Sequence, residues 1–266
     1  MWFKRWITEG YTIRQLVRQS GHSRATISRI IHYWLEHPPE RAVSNRQSKY
    51  LIFDGTFLQR RKGMYVVMDG QTHDVVYGAY GISEGPRDLL KFCQILKAQG
   101  IEPRSATIDG NPHIFHVLQL VWPSILIQRC LVHIQRQGLS WCRRHPKRTD
   151  AKSLRKILLT VLDIRSQYQR DEFEEAFDKW NERYGLKISL TSGHGWVASD
   201  LQRARSMLMK AMPFMFAFLA DSNIPRSTNA IEGYFSRLKH RYRQHRGLTK
   251  RNRANFFHWY FHLCPR

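Results

Sequence analysis

The amino-acid sequence predicts an α/β chain, in which a mixed sheet flanked by helices is followed by an all-helical block and preceded by three short helices. Three observations carry this. Residues 49–130 hold short runs rich in β-branched and aromatic residues, first joined by tight turns and then alternating with helical periodicity. Residues from about 134 to 220 are amphipathic at helical spacing, with no strand-like alternation. Residues 1–36 repeat apolar side chains at helical spacing, broken by residues that start and stop helices.

In the first segment, Trp2, Phe3 and Trp6 share one face, Ile13, Leu16 and Val17 a second, and Ile27, Ile30, Ile31 and Trp34 a third. Thr12 and Ser23 stand where N-caps are needed, because a hydroxyl there accepts an otherwise orphaned backbone N–H. Gly21 lies in the short connection that a helix-turn-helix requires. The third helix leaves Arg24, Thr26, Ser28 and Arg29 for solvent or DNA, the polar set a recognition helix offers to phosphates and base edges. An ordinary three-helix packing unit is the alternative. Pro38 and Pro39 end the third helix, and 38–48 reads as a polar linker.

Tyr50–Leu58, Met64–Met68 and Val75–Tyr80 read as a three-stranded antiparallel meander, with turns at Arg60–Gly63 and Asp69–Thr72. Helix is expected over Asp88–Gln99, strand over Ser105–Ile108, helix over Pro112–Val121 and strand over Ile125–Gln128. Within the helical block, residues 134–170 are basic and 171–182 acidic, the latter a solvated helix face. Thr191–Gly195 reads as a loop and Met207–Leu219 as buried. The last segment, 226–262, reads as a helix, a basic linker and an aromatic helix.

Charge narrows the function. The 266 residues carry 43 Lys and Arg against 21 Asp and Glu, a formal charge of +22. Self-repulsion on this scale calls for an anionic partner. The excess is clustered: from Arg237 to Arg253 there are eight Lys/Arg and no acid, a phosphate footprint. A membrane partner is disfavoured, because this run has no apolar face and no stretch approaches the ~18 apolar residues of a span. Four cysteines without CxxC spacing make no disulfide scaffold and point to a reducing interior.

Three acids stand out in a chain that avoids them. Asp69-Gly70 sits where a hairpin turn is expected and is assigned no chemistry. Asp54-Gly55 differs, because strand character continues past it through Leu58, and an acid and a glycine inside a strand need a reason. Asp109 closes a buried strand at the end where α/β sheets bind ligands, although a turn or capping role is open to it. Glu232 lies in the first turn of a helix, where Asn229 and Glu232 also fit an N-x-x-E capping box. Phosphodiester cleavage by two Mg²⁺ or Mn²⁺ ions needs hard oxygen ligands that hold the ions about 3.5–4 Å apart. One ion activates water or a 3′-OH and the other stabilises the departing oxygen, with Asp54 placed to bridge both.

Four strings occur in order: Asp54-Gly55-Thr56-Phe57, Ile108-Asp109-Gly110, Gln128-Arg129-Cys130-Leu131-Val132-His133 and Thr228-Asn229-Ala230-Ile231-Glu232. Together they resemble a Mutator-type DDE transposase of a bacterial insertion sequence. The resemblance covers residues 49–262 and implies an RNase H-like mixed sheet interrupted by an all-helical insertion. It implies Asp54, Asp109 and Glu232 as catalytic metal ligands for two Mg²⁺ or Mn²⁺. Cys130 and His133 match the family's C-x-x-H motif. By their chemistry they fit a packing or supporting role beside the metals, as does Asn229, better than zinc, which needs four ligands. Arg129 and Arg136 are placed to face DNA, and Trp196 is the candidate to stack on it, although its residue type favours a core. Arg237, Lys239, Arg241 and Arg243 are expected to hold backbone phosphates.

The implied organisation is a helix-turn-helix domain with linker over 1–45, the first part of the catalytic core over 46–135, the insertion over 136–220, and C-terminal core helices over 221–266. Members of the family often carry a longer N-terminal region, so a compact form or a missing start stays open. The implied activity is hydrolysis at inverted terminal repeats followed by 3′-OH strand transfer into target DNA. The implied setting is the cytoplasm, on the nucleoid, as a homodimer or higher assembly, since two ends must be cut in concert. A nuclease without strand transfer and a transposase-derived DNA-binding regulator are the alternatives.

Overall fold

The structure, a computed structural model, describes residues 1–40, 47–59, 62–191 and 195–265. In chain order its elements are α1 (Trp2–Glu9), α2 (Ile13–Ser20), α3 (Arg24–Glu36), β1 (Tyr50–Gln59), β2 (Lys62–Asp69), β3 (Val75–Ile82), α4 (Pro86–Ala98), β4 (Ser105–Ile108), α5 (Pro112–Val121) and β5 (Leu126–Arg129). There follow α6 (Leu131–Cys142), α7 (Thr149–Thr160), α8 (Gln167–Thr191), α9 (Trp196–Ala211), a 3-10 turn (Met212–Phe214), α10 (Ala217–Ala220), α11 (Asn229–Arg243) and α12 (Lys250–Leu263). The chain is thus mixed α/β, with strands of both antiparallel and parallel sense. It divides into two compact units: Met1–Arg104 with Asn111–Ile125 and Asn229–Arg266, and Ser105–Gly110 with Leu126–Thr228.

The first unit opens with the three expected helices. The Thr12 hydroxyl accepts the Gln15 N–H while the Gln15 side chain accepts the Thr12 N–H, a full capping box. Ser23 caps α3 by accepting the Thr26 N–H. Gly10 at φ 73° and Gly21 at φ 69° end α1 and α2 in the left-handed region, which costs glycine nothing. The meander is present: β1 pairs antiparallel with β2, and β2 with β3. The Asp69 carboxylate accepts the Gln71 and Thr72 N–H groups at 2.8 Å, so this Asp-Gly pair is a turn device, as expected. The turn at Arg60, the linker residues 41–46 and residues 192–194 of the Thr191–Gly195 loop lie outside the described residues. Helix α4 begins two residues earlier than expected, because Pro86 fits the first helical position behind an extended Gly85.

Helices α11 and α12 cover the meander, α11 on β1 and α12 on β3. A Cβ on Gly78 would lie 2.8 Å from the Phe261 ring, so this glycine in β3 is what lets α12 approach. The three N-terminal helices join the same core: Phe3, Trp6, Leu16, Ile27 and Ile31 are buried with Phe256, Phe257 and Tyr260. Three polar contacts fix the join. The Asn255 side chain donates to the Leu35 carbonyl at 2.7 Å, Trp259 Nε1 to the Trp34 carbonyl at 2.7 Å, and His245 Nε2 to the Trp6 carbonyl at 2.7 Å. The His245 ring also lies 4.1 Å from the Trp6 indole, centroid to centroid.

Burial pushes the His245 imidazole down to about 4, against the pull of its bond to Trp6. The sign of the consequence follows. The unfolded histidine takes a proton below about pH 6.5 and the folded one does not until about pH 4. Stability is therefore full above pH 6.5 and falls as the pH drops towards 4, by up to about 3 kcal/mol. Urea midpoints measured between those pH values are expected to slope less in His245→Gln than in the parent protein. Equal slopes would remove His245 as the cause.

In the second unit, β4 and β5 pair in parallel from Ser105 opposite Leu126 to Ile108 opposite Arg129. β5 starts one residue later than expected, because the Ile125 N–H is taken by the Trp122 carbonyl in a turn. Helices α6, α7, α8 and α9 form a closed ring of neighbours. Gly138 of α6 admits the Leu158 side chain of α7, which would lie 2.6 Å from a Cβ there. In α8, Phe173, Phe177 and Trp180 face the core while Asp171, Glu172, Glu175, Asp178 and Glu182 are exposed, the expected solvated acidic face. Met207–Leu219 is not one buried run. Pro213 breaks it into the end of α9, the 3-10 turn and α10, and Met209 is 46% exposed. The buried Gln128 amide ties β5 to this stretch, donating to the Met215 carbonyl at 2.6 Å and accepting the Phe218 N–H at 3.3 Å.

Candidate active site

In the first unit, Asp54 lies opposite Val66 in β1 and is 9% exposed. Its Oδ1 accepts the Gly55 N–H at 2.8 Å. The glycine that follows has a steric reason: a Cβ on Gly55 would stand 2.7 Å from the Tyr65 ring and 3.0 Å from Glu84 Oε1. Asp54 and Thr56 share one face of the strand, since side chains alternate. Glu232 is in the first turn of α11, which packs on β1, and Lys239 lies two helical turns further on the same side of the helix. Lys239 Nζ donates to Thr56 Oγ1, which sets the helix against the strand. Burial lowers the Lys239 pKa and Arg243 lowers it further, while the Asp54 carboxylate works the other way. The faces of β1 and α11 that carry Asp54 and Glu232 therefore belong to one packed pair of elements.

In the second unit, Asp109 directly follows β4. Arg129, at the end of β5, is turned towards it. Burial lowers the Arg129 pKa and the Asp109 charge raises it. A Cβ on Gly110 would meet Arg129 Nη2 at 2.7 Å, so the Asp-Gly pair leaves the guanidinium its place. Asp109 is not the cap of α5. That role falls to Asn111, whose side chain accepts the His113 N–H at 2.8 Å.

Cys130 and His133 form a cluster with Thr228. His133 Nδ1 lies 3.3 Å from Cys130 Sγ, and Thr228 donates its N–H to the same sulfur at 3.3 Å and has its hydroxyl 3.3 Å from His133 Nδ1. Burial pushes the Cys130 thiol up, but the hydrogen bonds from His133 and Thr228 outweigh it and leave the thiol below its ordinary value. The Leu131 N–H donates to the Arg226 carbonyl at 3.0 Å, and Thr107 Oγ1 to the Pro225 carbonyl at 2.6 Å. Residues 225–228 are thus strapped to β4 and the start of α6. The strap ends at the residue before α11, which carries Glu232. Asn229 is the first helical residue of α11, so the cap position expected for it falls one residue earlier, at Thr228. Thr228 sits inside a string the sequence singles out, yet its role emerges only when Cys130 is placed beside it. His113 and His116 lie on α5, in the other unit.

The remaining candidates differ in availability. Arg24 and Arg29 are exposed on α3 and Ser28 is half-buried. The Thr26 hydroxyl is 3.0 Å from that of Ser23, within the cap of α3. Arg136 is exposed on α6. Trp196 opens α9 and is 84% exposed, so the core placement favoured by its residue type is overturned. Arg237 is exposed, its guanidinium 5.9 Å from the Tyr234 ring centroid, Arg241 is half-buried and Arg243 is exposed.

Among the described residues, no three His, Cys, Asp or Glu side chains form a ready metal-holding group. No described helix is long and apolar enough to cross a membrane. A strongly cationic α/β chain, with the buried Asp54 near Lys239 and the half-buried Asp109 near Arg129, has the make-up of a protein that acts on nucleic acid. The family model for Mutator family transposases matches residues 12–254, and the chain belongs to that family. It is accordingly a transposase, a protein that moves DNA. No curated protein matches it.

Proposed function

We propose that the protein is the transposase of an insertion sequence that frees a 3′-OH at inverted terminal repeats and joins it to target DNA. The observation that carries this reading is the setting of Asp54. An acid and a glycine occupy the interior of a strand, the acid is almost fully buried, and the helix packed over it carries Glu232 in its first turn. Asp54, Glu232 and Asp109 are the metal ligands in this reading. The donor set fits Mg²⁺ or Mn²⁺, being made of hard carboxylate oxygens. When bound, the pair of ions would supply the Lewis acidity that phosphodiester chemistry needs.

The chain's own contribution is placement. Lys239, anchored on Thr56, is a cation near Asp54, and Arg129 is a cation beside Asp109; in this reading each offers its charge to a phosphate. In this reading the sheet is RNase H-like, α6–α9 belong to the helical insertion, and α1–α3 form a helix-turn-helix for the terminal repeats. Arg237, Arg241 and Arg243 hold phosphates, and Trp196 and Arg136 offer a stacking ring and a cation on the helical block. A homodimer or larger assembly on the nucleoid would act on two ends together.

The test uses duplexes carrying the ends of the element, with Mg²⁺. Strand-transfer products joined to a second duplex are expected. Cleaved ends without joining would make the protein a nuclease, and binding without cleavage a regulator.

A further inference from the structure

Within the first unit, a cleft of about 570 Å³ opens between α2 and α3 on one side and residues 244–252 on the other. That second wall is the connection between α11 and α12 with the first turn of α12. The floor is apolar, with Val17, Ile31 and Leu248. Arg14 and Arg24 stand on one wall and Arg246 on the other, all exposed. Among the described residues none of these three guanidinium groups has an ion pair or a hydrogen-bond partner. The far wall is held in place: His245 is bonded to Trp6 with its ring tilted against the indole, Asn255 is bonded to Leu35, and Gly247 at φ 89° turns the connection. The backbone that carries Arg246 is thus set opposite α2 and α3 before any ligand arrives, so less ordering of the wall has to accompany binding.

We infer that this cleft holds one strand of a DNA duplex by its phosphates, so that the α11–α12 connection grips the same DNA that α3 faces. The inference rests on the DNA-binding reading above and adds a second wall to it. Three unpaired cations facing one space select an anion, and an excess of +22 over the chain selects a polyanion. The volume suits a segment of one strand and is far too small for a duplex. The apolar floor matches the sugar faces between phosphates. Arg24 and Ser28 line the cleft from α3, so a duplex laid against that helix runs its backbone between the walls.

The experiment measures binding of the full chain to a fluorescein-labelled, mixed-sequence duplex of about three helical turns, by anisotropy across about 50 to 200 mM salt. Arg246→Gln and Arg24→Gln are each expected to weaken binding severalfold and to make the salt slope shallower by about one. Arg246→Lys keeps the charge and is expected to restore the slope. Lys91→Gln, exposed on α4 away from the cleft, is expected to bind like the parent chain. If Arg246→Gln keeps the parental slope while Arg24→Gln loses it, the second wall is not a DNA contact and the inference falls, with DNA binding by α3 intact. If Lys91→Gln loses as much as Arg246→Gln, only bulk charge matters and the inference again falls. If the parent chain binds no duplex, the DNA-binding reading falls with it.

Discussion

Asp54→Asn is expected to abolish strand cleavage, by about a thousandfold or more, while duplex binding stays within about twofold. The side chain keeps its shape, and Oδ1 still accepts the Gly55 N–H, so β1 and its pairing with β2 persist. What is lost is one negative charge in a nearly buried place, next to a lysine whose ammonium it helps keep charged. In the proposed reading this carboxylate is a metal ligand, and a ligand that loses its charge forfeits about 4 kcal/mol of transition-state stabilisation, which corresponds to about three decades in rate. Single-turnover cleavage of a terminal-end duplex with Mg²⁺ measures the rate, and anisotropy measures binding. Glu232→Gln is expected to behave alike, from the other member of the packed pair. Cleavage by Asp54→Asn at the parental rate would refute the role given to this carboxylate.

The second large effect is on stability. Trp6→Ala is expected to cost about 3–5 kcal/mol, the range for truncating a buried large aromatic. The indole is buried, tilted against the His245 ring at 4.1 Å and edge-on to Phe256 at 5.7 Å. Its loss opens a void where the N-terminal helices meet the C-terminal ones, and it loosens the wall that carries Arg246. Urea unfolding followed by far-UV dichroism gives the stability, and the salt slope of DNA binding should fall with it. Trp196→Ala is the contrast. That side chain is exposed, so stability should change by no more than about 0.5 kcal/mol. A loss at Trp6 below about 1 kcal/mol would mean that α1–α3 do not share the core with α11 and α12.

Much of the architecture was legible because it is written in local chemistry. Thr12 and Ser23 cap helices because a hydroxyl at that position meets a nearby orphan N–H, and neither partner is more than three residues away. The meander is legible from alternation and from Asp69-Gly70, whose turn is closed by its own carboxylate. Asp54-Gly55 is set apart by the strand character that continues past it, and the structure supplies the reason in the Tyr65 ring that a Cβ would strike. Where boundaries moved, a single contact moved them: Pro86 at the start of α4, the Ile125 N–H before β5, Pro213 inside the apolar run.

Other features were illegible for a common reason. Trp196 was given a core by its residue type, yet side-chain type records what a residue can bury and not what arrives to bury it. Thr228 meets Cys130 and His133 across nearly a hundred residues. Arg129 carries no mark in the sequence of its approach to Gly110 and Asp109.

By itself the sequence determined the N-terminal helices, the strands and the helical character of residues 134–220, the order of the three acids and a cationic character suited to a polyanion, because each depends on neighbours along the chain or on composition. Only the tertiary structure decided that α1–α3 share a core with α11 and α12, that Lys239 sets α11 on β1, and that Arg14, Arg24 and Arg246 face one cleft. These depend on which surfaces distant segments bury together, and burial is a property of area brought into contact, blind to distance along the chain.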